Sequence, residues 1–325
     1  MSPIDPTPDL LADQLPDWDQ PVRYIDRTHA WYDALGTNNH YHYAHFRSVP
    51  FHPLSKPLSR CRVTLLTTAA PYQPDKGPQG AGSPYNAAAK FYQVYSGDMA
   101  QDHDLRVSHV SVNREQMGDD ANAWFPLPAL RRKAQAGRVG ALAARFHGVP
   151  TNRSQRHTMG VDCPELLARC LADQVDAALL VANCPVCHQS MSLAARHLEA
   201  NGIATVVMGA ARDIVEHCGV PRFLFSDFPL GNAAGIPHDV GSQDATLELA
   251  LRLLESAPAP RTTVQNPLRW NGDPQWKDRV LNPDLLSAQD IARIKAESAG
   301  IKNVAGAVRN AALRSTAQRT VGGEQ

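Results

Sequence analysis

An α/β fold with mainly parallel sheets is what this sequence predicts, and three observations predict it. Short β-branched apolar runs, RVTLLTTAA (62–70), AALLVA (177–182) and IATVVMG (203–209), read as buried strands. Stretches with helical periodicity lie between them, such as PELLARCLADQ at 164–174. Strand and helix alternate, the pattern of a parallel sheet covered on both faces. Two such blocks predict two α/β halves, 59–150 and 151–260, facing a cleft. An N-terminal arm at 1–58 precedes them, and a largely helical tail at 261–325 follows.

Each element has a local reason. Residues 1–20 are acidic and proline-rich and read as an arm. Residues 21–58 are rich in aromatics and histidine, and PFHPLSKPLS favours an extended path over the surface. His40, His42 and His45 alternate with aromatic residues, which suits packing at a docked surface, and no H-E-x-x-H spacing points to metal. Arg62–Ala70 is the first strand, followed by a glycine- and proline-rich loop to about Pro84. Leu105–Val112 is a second strand, and Leu127–Gly137 a helix ending at a glycine. In the next block Pro164–Gln174 is a helix with proline in its first turn. Ala177–Ala182 is a strand, Met191–Asn201 a helix closed by Gly202, and Ile203–Gly209 a strand. Arg212–Cys218 is a short helix, Arg222–Phe228 a strand, and Ala245–Glu255 a leucine-rich helix. Asn266–Val280 holds two tryptophans that pack on the body, and Ser287–Gln318 is a polar, alanine-rich helix.

Charge excludes several functions. Lys plus Arg (32) equals Asp plus Glu (32), so no general field attracts nucleic acid or an anionic membrane. No basic block with interleaved aromatics supports RNA or DNA binding. No stretch approaches the ~18–20 apolar residues that span a bilayer, and a basic n-region with an apolar run is missing. The expectation is a cytoplasmic protein whose partner is a small-molecule substrate, with a homodimer as an allowed assembly.

Chemistry concentrates on cysteine. The six are Cys61, Cys163, Cys170, Cys184, Cys187 and Cys218, too few for a disulfide framework in a chain of 325 residues. Cys184-Pro185-Val186-Cys187 directly follows the strand AALLVA, where a helix begins. Ligands in open α/β sheets bind beyond the carboxyl ends of strands, and free N–H groups at a helix start favour a thiolate. Four readings stay open: a cysteine nucleophile assisted by its neighbour, a redox dithiol, a zinc site lacking its second ligand pair, and two inert buried thiols. Thr67 and Thr68 end the first block's strand, as Asn183 and Cys184 end the second's, so their hydroxyls can stabilise an oxyanion or simply cap the strand. His109 is a candidate acid or base, and Asn113 a candidate substrate contact. Arg212, at a helix start, is a candidate for a substrate carboxylate, with Asp213 as its alternative partner.

Taken together, PFHPLSKPLS, RVTLLTTAA, SH…DDAN…FPL, AALLVANCPVC, ARHLEANGIATVVMG, ARDIVE and FLFSDFPLGN resemble the selenoprotein B family of glycine, sarcosine, betaine and D-proline reductases and its cysteine-containing relatives. The resemblance runs from about Pro50 to about Glu255. It implies that Cys184 stands where the selenium-dependent members carry selenocysteine, and that Asn113 stands where the pattern often has aspartate. The two-halved architecture also resembles the aspartate/glutamate racemase superfamily, which places paired thiols in a cleft. One cysteine-containing branch acts in ergothioneine breakdown, as a desulfhydrase converting a thioxo-imidazolidinone propionate to a hydantoin propionate and hydrogen sulfide. Likeness to that branch implies attack of Cys184 on the thiocarbonyl carbon, with Thr67 or Thr68 stabilising the adduct. Cys187 or His109 then supplies a proton, Arg212 holds the carboxylate, and neither cofactor nor metal takes part. The alternatives are a dithiol-dependent reductase subunit and a non-catalytic docking subunit.

Overall fold

The computed structural model describes residues 20–37, 40–80, 83, 85–107, 119–271 and 275–321. In chain order its elements are α1 (Tyr24–Ala34), β1 (Arg62–Thr67), β2 (Ala70–Pro71), β3 (Tyr95–Asp98), β4 (Leu105–Arg106), α2 (Leu127–Gln135), β5 (Ala141–Leu142), β6 (Arg145–Gly148), α3 (Gln155–His157), α4 (Cys163–Ala172), β7 (Ala177–Val181), α5 (Pro185–Ala200), β8 (Ala204–Gly209), α6 (Arg212–Cys218), β9 (Arg222–Phe225), α7 (Val240–Ser256), β10 (Thr262–Gln265), α8 (Trp276–Arg279) and α9 (Ala288–Val321).

Eight strands form one sheet in the order β10–β9–β8–β7–β1–β6–β3, with β5 also paired to β1. Every pairing in it is parallel except that of β3 with β6. The fold is therefore α/β with a mostly parallel central sheet. The expectation of sheets facing each other across a cleft gives way to a single sheet, because β1 pairs directly with β7, Val63 opposite Ala177 and Thr67 opposite Val181. The cause is in β1 itself. Five of its six residues are buried and apolar or threonine. As an edge strand it would leave a row of ladder groups and its apolar faces uncovered, and partners on both sides remove that cost.

β7 and β8 are buried at every residue. Helix α5 packs on β7 and β8 beside α4 and α6, while α7 packs on β8 and β9 beside α2. Covering a parallel strand on both faces produces continuous apolar runs in place of alternation. Four elements lacked such a run. β6 (RFHG) and β3 (YSGD) carry little apolar character, β10 lies inside the expected tail, and α1 occupies the aromatic arm. The second strand candidate, 105–112, is described only through Val107, where Leu105–Arg106 pairs with β2 in a separate small ribbon.

The arm docks through a second apolar cluster of Val22, Tyr24, Tyr43, Ile214, Trp276 and their neighbours. The Ile25 N–H donates to the Asp213 carboxylate at 2.7 Å. Asp213, named as the alternative partner of Arg212, thus serves as an anchor for α1. The segment before β1 is held by a buried ion pair, Arg222 to Glu199 at 2.6 Å. Glu199 also accepts the His52 N–H, and Arg222 donates to the His52 carbonyl at 2.9 Å.

Candidate active site

The carboxyl ends of β1 and β7 are adjacent, about 4.8 Å apart as neighbouring strands are. From β1 the chain leaves to one side of the sheet, to β5 and β6, and returns on the other side at β7. Such a reversal opens a crevice beyond the strand ends, where open α/β sheets bind ligands. Thr67 and Thr68 follow β1 into it, and Asn183 and Cys184 follow β7. The Asn183 Nδ2 donates to Thr68 Oγ1 at 3.2 Å, while Asn183 Oδ1 is buried without a partner among the described residues. Thr67 Oγ1 accepts the Ala69 N–H at 3.1 Å, so this hydroxyl serves the turn.

Cys184 is the N-cap of α5, with extended backbone, and Pro185 occupies the first helical position. Proline there gives up an N–H that has no helical partner anyway. The Cys187 N–H donates to Cys184 Sγ at 3.2 Å. Cys184 and Cys187 form a disulfide with their Cα atoms 4.9 Å apart. One turn of helix thus provides the whole geometry of the pair, and both residues are buried. The other four cysteines are free and buried. Burial pushes the Cys163, Cys170 and Cys218 thiols up to about 12 and raises Cys61 as well. None of those four offers a thiolate near neutral pH.

His188 is a site residue that sequence reasoning missed. It is fully buried on α5, one turn after Cys184. Its Nε2 accepts the N–H groups of Ala210 at 2.9 Å and Ala211 at 3.1 Å. Nδ1 therefore carries the proton, and it donates to the Cys184 carbonyl at 2.7 Å. Burial pushes the imidazole down to about 4, so the ring is neutral. His188 joins the end of β8 to the carbonyl of the cysteine cap. Gly209 makes room for it, since a Cβ there would lie 2.6 Å from the ring. The local signal was available as Cys-x-x-Cys-His, with the histidine four residues from Cys184.

The remaining candidates separate. Arg212 bonds Glu216 along its own helix at 3.0 Å, with 43% of its side chain exposed. His109 and Asn113 lie outside the described residues. Among the arm histidines, His40 pairs with Asp33 and His45 Nδ1 bonds the His217 carbonyl at 2.7 Å. Over the helix start, the Ala44 N–H donates to Gln189 Oε1 at 2.5 Å and Gln189 bonds the Tyr41 hydroxyl. Beside Thr68, the ends of β1 and β6 line a small open cleft whose walls include Thr68, Lys90, Tyr95, Arg106 and Thr151. Lys90, absent from the sequence candidates, is the one lysine among the described residues of that lining. No helix among the described residues is long and apolar enough to cross a membrane.

The chain is 29% identical over 220 residues to D-proline reductase subunit gamma of Acetoanaerobium sticklandii, a match covering 67% of this chain and 88% of the relative. That similarity supports the reductase family and does not extend to its desulfhydrase branch. No protein-family profile matches the chain, and no solved structure matches it.

Proposed function

We propose that this chain is the thiol-bearing subunit of a dithiol-dependent reductase acting on a small acid. One observation carries the reading: the Cys184–Cys187 disulfide at the start of α5, directly after Asn183, which bonds Thr68 of the cleft lining. A pair that closes within one helical turn can give up two electrons without rearranging the fold. In the reduced protein, Cys184 is the nucleophile, because its sulfur lies at the helix start and accepts the Cys187 N–H. Its thiolate attacks the carbon of a carbon–heteroatom bond, and the protonated heteroatom leaves. Cys187 thiolate then attacks Cys184 Sγ, and the released carbon takes a proton. The net change is R–X plus two thiols to R–H, H–X and the disulfide. A carbonyl next to the carbon stabilises the charge as an enolate. An external dithiol restores the pair. The relative is a subunit by name, so we infer an assembly with at least one further subunit.

D-proline is the first substrate to test, taken from the relative's name. Cleavage of its Cα–N bond should yield a linear amino acid and consume one dithiol per turnover. Cys184→Ser and Cys187→Ser should each abolish this. Full turnover in either variant overturns the reading.

A second reading keeps Cys184 and drops the redox cycle. A desulfhydrase would add water to a thioxo-imidazolidinone propionate and release sulfide, C=S plus water giving C=O plus hydrogen sulfide. It keeps the same contact, the Cys187 N–H on Cys184 Sγ, as support for the thiolate nucleophile. Thr68 beside Asn183 is then the hydroxyl for the tetrahedral adduct. Sulfide release without consumption of a dithiol selects this reading over the first.

A further inference from the structure

Among the described residues, Lys90 has no acidic partner. It follows a short helical turn, Ala87–Ala89, whose cap is the Asn86 side chain, accepting the Ala88 N–H at 3.0 Å. Gln73 Nε2 donates to the Ala89 carbonyl at 2.8 Å, and α9 packs on the turn. The backbone that presents Lys90 is therefore fixed from three sides. Its Nζ donates to the Thr151 carbonyl at 2.6 Å and sits 5.0 Å from the Tyr92 ring centroid. An ammonium has three donors, and no described carboxylate pairs with this one. The charges that act on it most are cations, Arg153 and Arg309. Arg106, the other cation of the cleft, is taken by Asp104 and by the Leu105 carbonyl. Among the described residues, a carbonyl and an aromatic ring are what face this half-buried cation, an arrangement that favours an anion beside it.

We propose that Lys90 is the carboxylate-binding residue of this cleft, holding the anionic end of a small acid whose reacting carbon faces Cys184. The second half of that statement rests on the reductase reading. Thr68 connects the two ends, since it lines the cleft and bonds Asn183, the neighbour of Cys184. Tyr95 stiffens the wall between them by donating its hydroxyl to the Ala69 carbonyl at 2.7 Å. Lys90 takes the role that the sequence suggests for Arg212, because Arg212 spends its charge on Glu216.

The test is alkylation of the reduced full chain, which needs no turnover. Bromoacetate, bromopropionate and bromovalerate are each compared with their own amide at Cys184, and a free small thiol is alkylated in parallel as the control. For at least one chain length the acid-to-amide rate ratio at Cys184 should exceed that of the free thiol about tenfold, the scale of one charge-assisted contact. Lys90→Met should bring the ratio down to the free-thiol value, and Lys90→Arg should keep most of the excess. The amide rates report whether the thiol itself is intact in each variant. A ratio equal to that of the free thiol at every length, or an excess that survives in Lys90→Met, overturns the proposal. Preference in this chain with no reductive turnover by the complete assembly leaves the subsite standing and removes the reductase reading. Turnover without preference does the reverse.

Discussion

His188 shows how much one buried side chain can carry without touching a substrate. Its two nitrogens satisfy two backbone donors and one acceptor drawn from separate elements. His188→Ala strands the Ala210 and Ala211 N–H groups and should cost roughly 2–5 kcal/mol, read by urea unfolding. The pH dependence has a definite sign. The folded state holds this imidazole down at about 4, below the ~6.5 of an unfolded chain, so the native protein binds fewer protons. Its contribution is complete above pH ~6.5 and is lost as pH falls toward about 4. The stability gap between parent and His188→Ala should narrow over that interval. Lys90 titrates in a different range, pushed down to about 8 chiefly by burial, with Arg153 and Arg309 adding to it. Among the described residues, Arg106, Tyr92 and Tyr95 are the other ionisable groups beside it. The acid-over-amide alkylation ratio should therefore fall as pH rises through about 8, and taking a ratio removes the titration of the thiols. Cys184 was legible because it follows an unmistakable strand, and Cys187 because of its spacing. The place of His188 directly after Cys187 was a local signal, but its bonds to Ala210 and Ala211 were not legible, nor was the role of Lys90, which depends on Thr151 far along the chain.

Elements were legible where burial left a pattern. β1, β7, β8 and α6 follow from their apolar runs and caps. Helix α5 begins at Pro185, six residues before the periodic stretch at Met191, because its first turns are buried on nearly every side. A helix buried all round has no amphipathic signature, and only the cap at Cys184 marks its start. The prolines around residues 51–52 predicted an extended path but not its anchor, because a polar latch holds it. Glu199 accepts from Thr205 Oγ1 at 2.9 Å as well as from Arg222. Removing one member of a buried ion pair leaves the other charge uncompensated. Glu199→Gln should therefore lower stability by about 3–5 kcal/mol, measured by denaturant melts, and hydrogen exchange should rise at His52.

At the scale of the whole molecule, the Cys184–Cys187 pair contributes little to the stability of the fold. The disulfide spans a sequence separation of only three. Closing so short a loop contributes about 2 kcal/mol by chain entropy, so unfolding curves with and without dithiol should differ by no more than that. A much larger difference would mean that the pair is a structural staple, in conflict with a redox cycle. The single sheet was the least legible feature, since neither β1 nor β7 records in its own residues that the other is its partner. Their pairing depends on the return of the chain across the sheet, a property of the connections between the strands.

That pairing also has a history during synthesis. β1 leaves the ribosome as an apolar strand whose neighbours do not yet exist. Thr64 waits 81 residues for Arg145, and Arg62 waits 114 for Asp176. Until then the strand presents bare edges on both sides, the condition in which nascent chains associate wrongly. Soluble yield should accordingly respond more to chaperone supply and slower translation than to mutations that raise the melting temperature, as expression trials with fractionation will show.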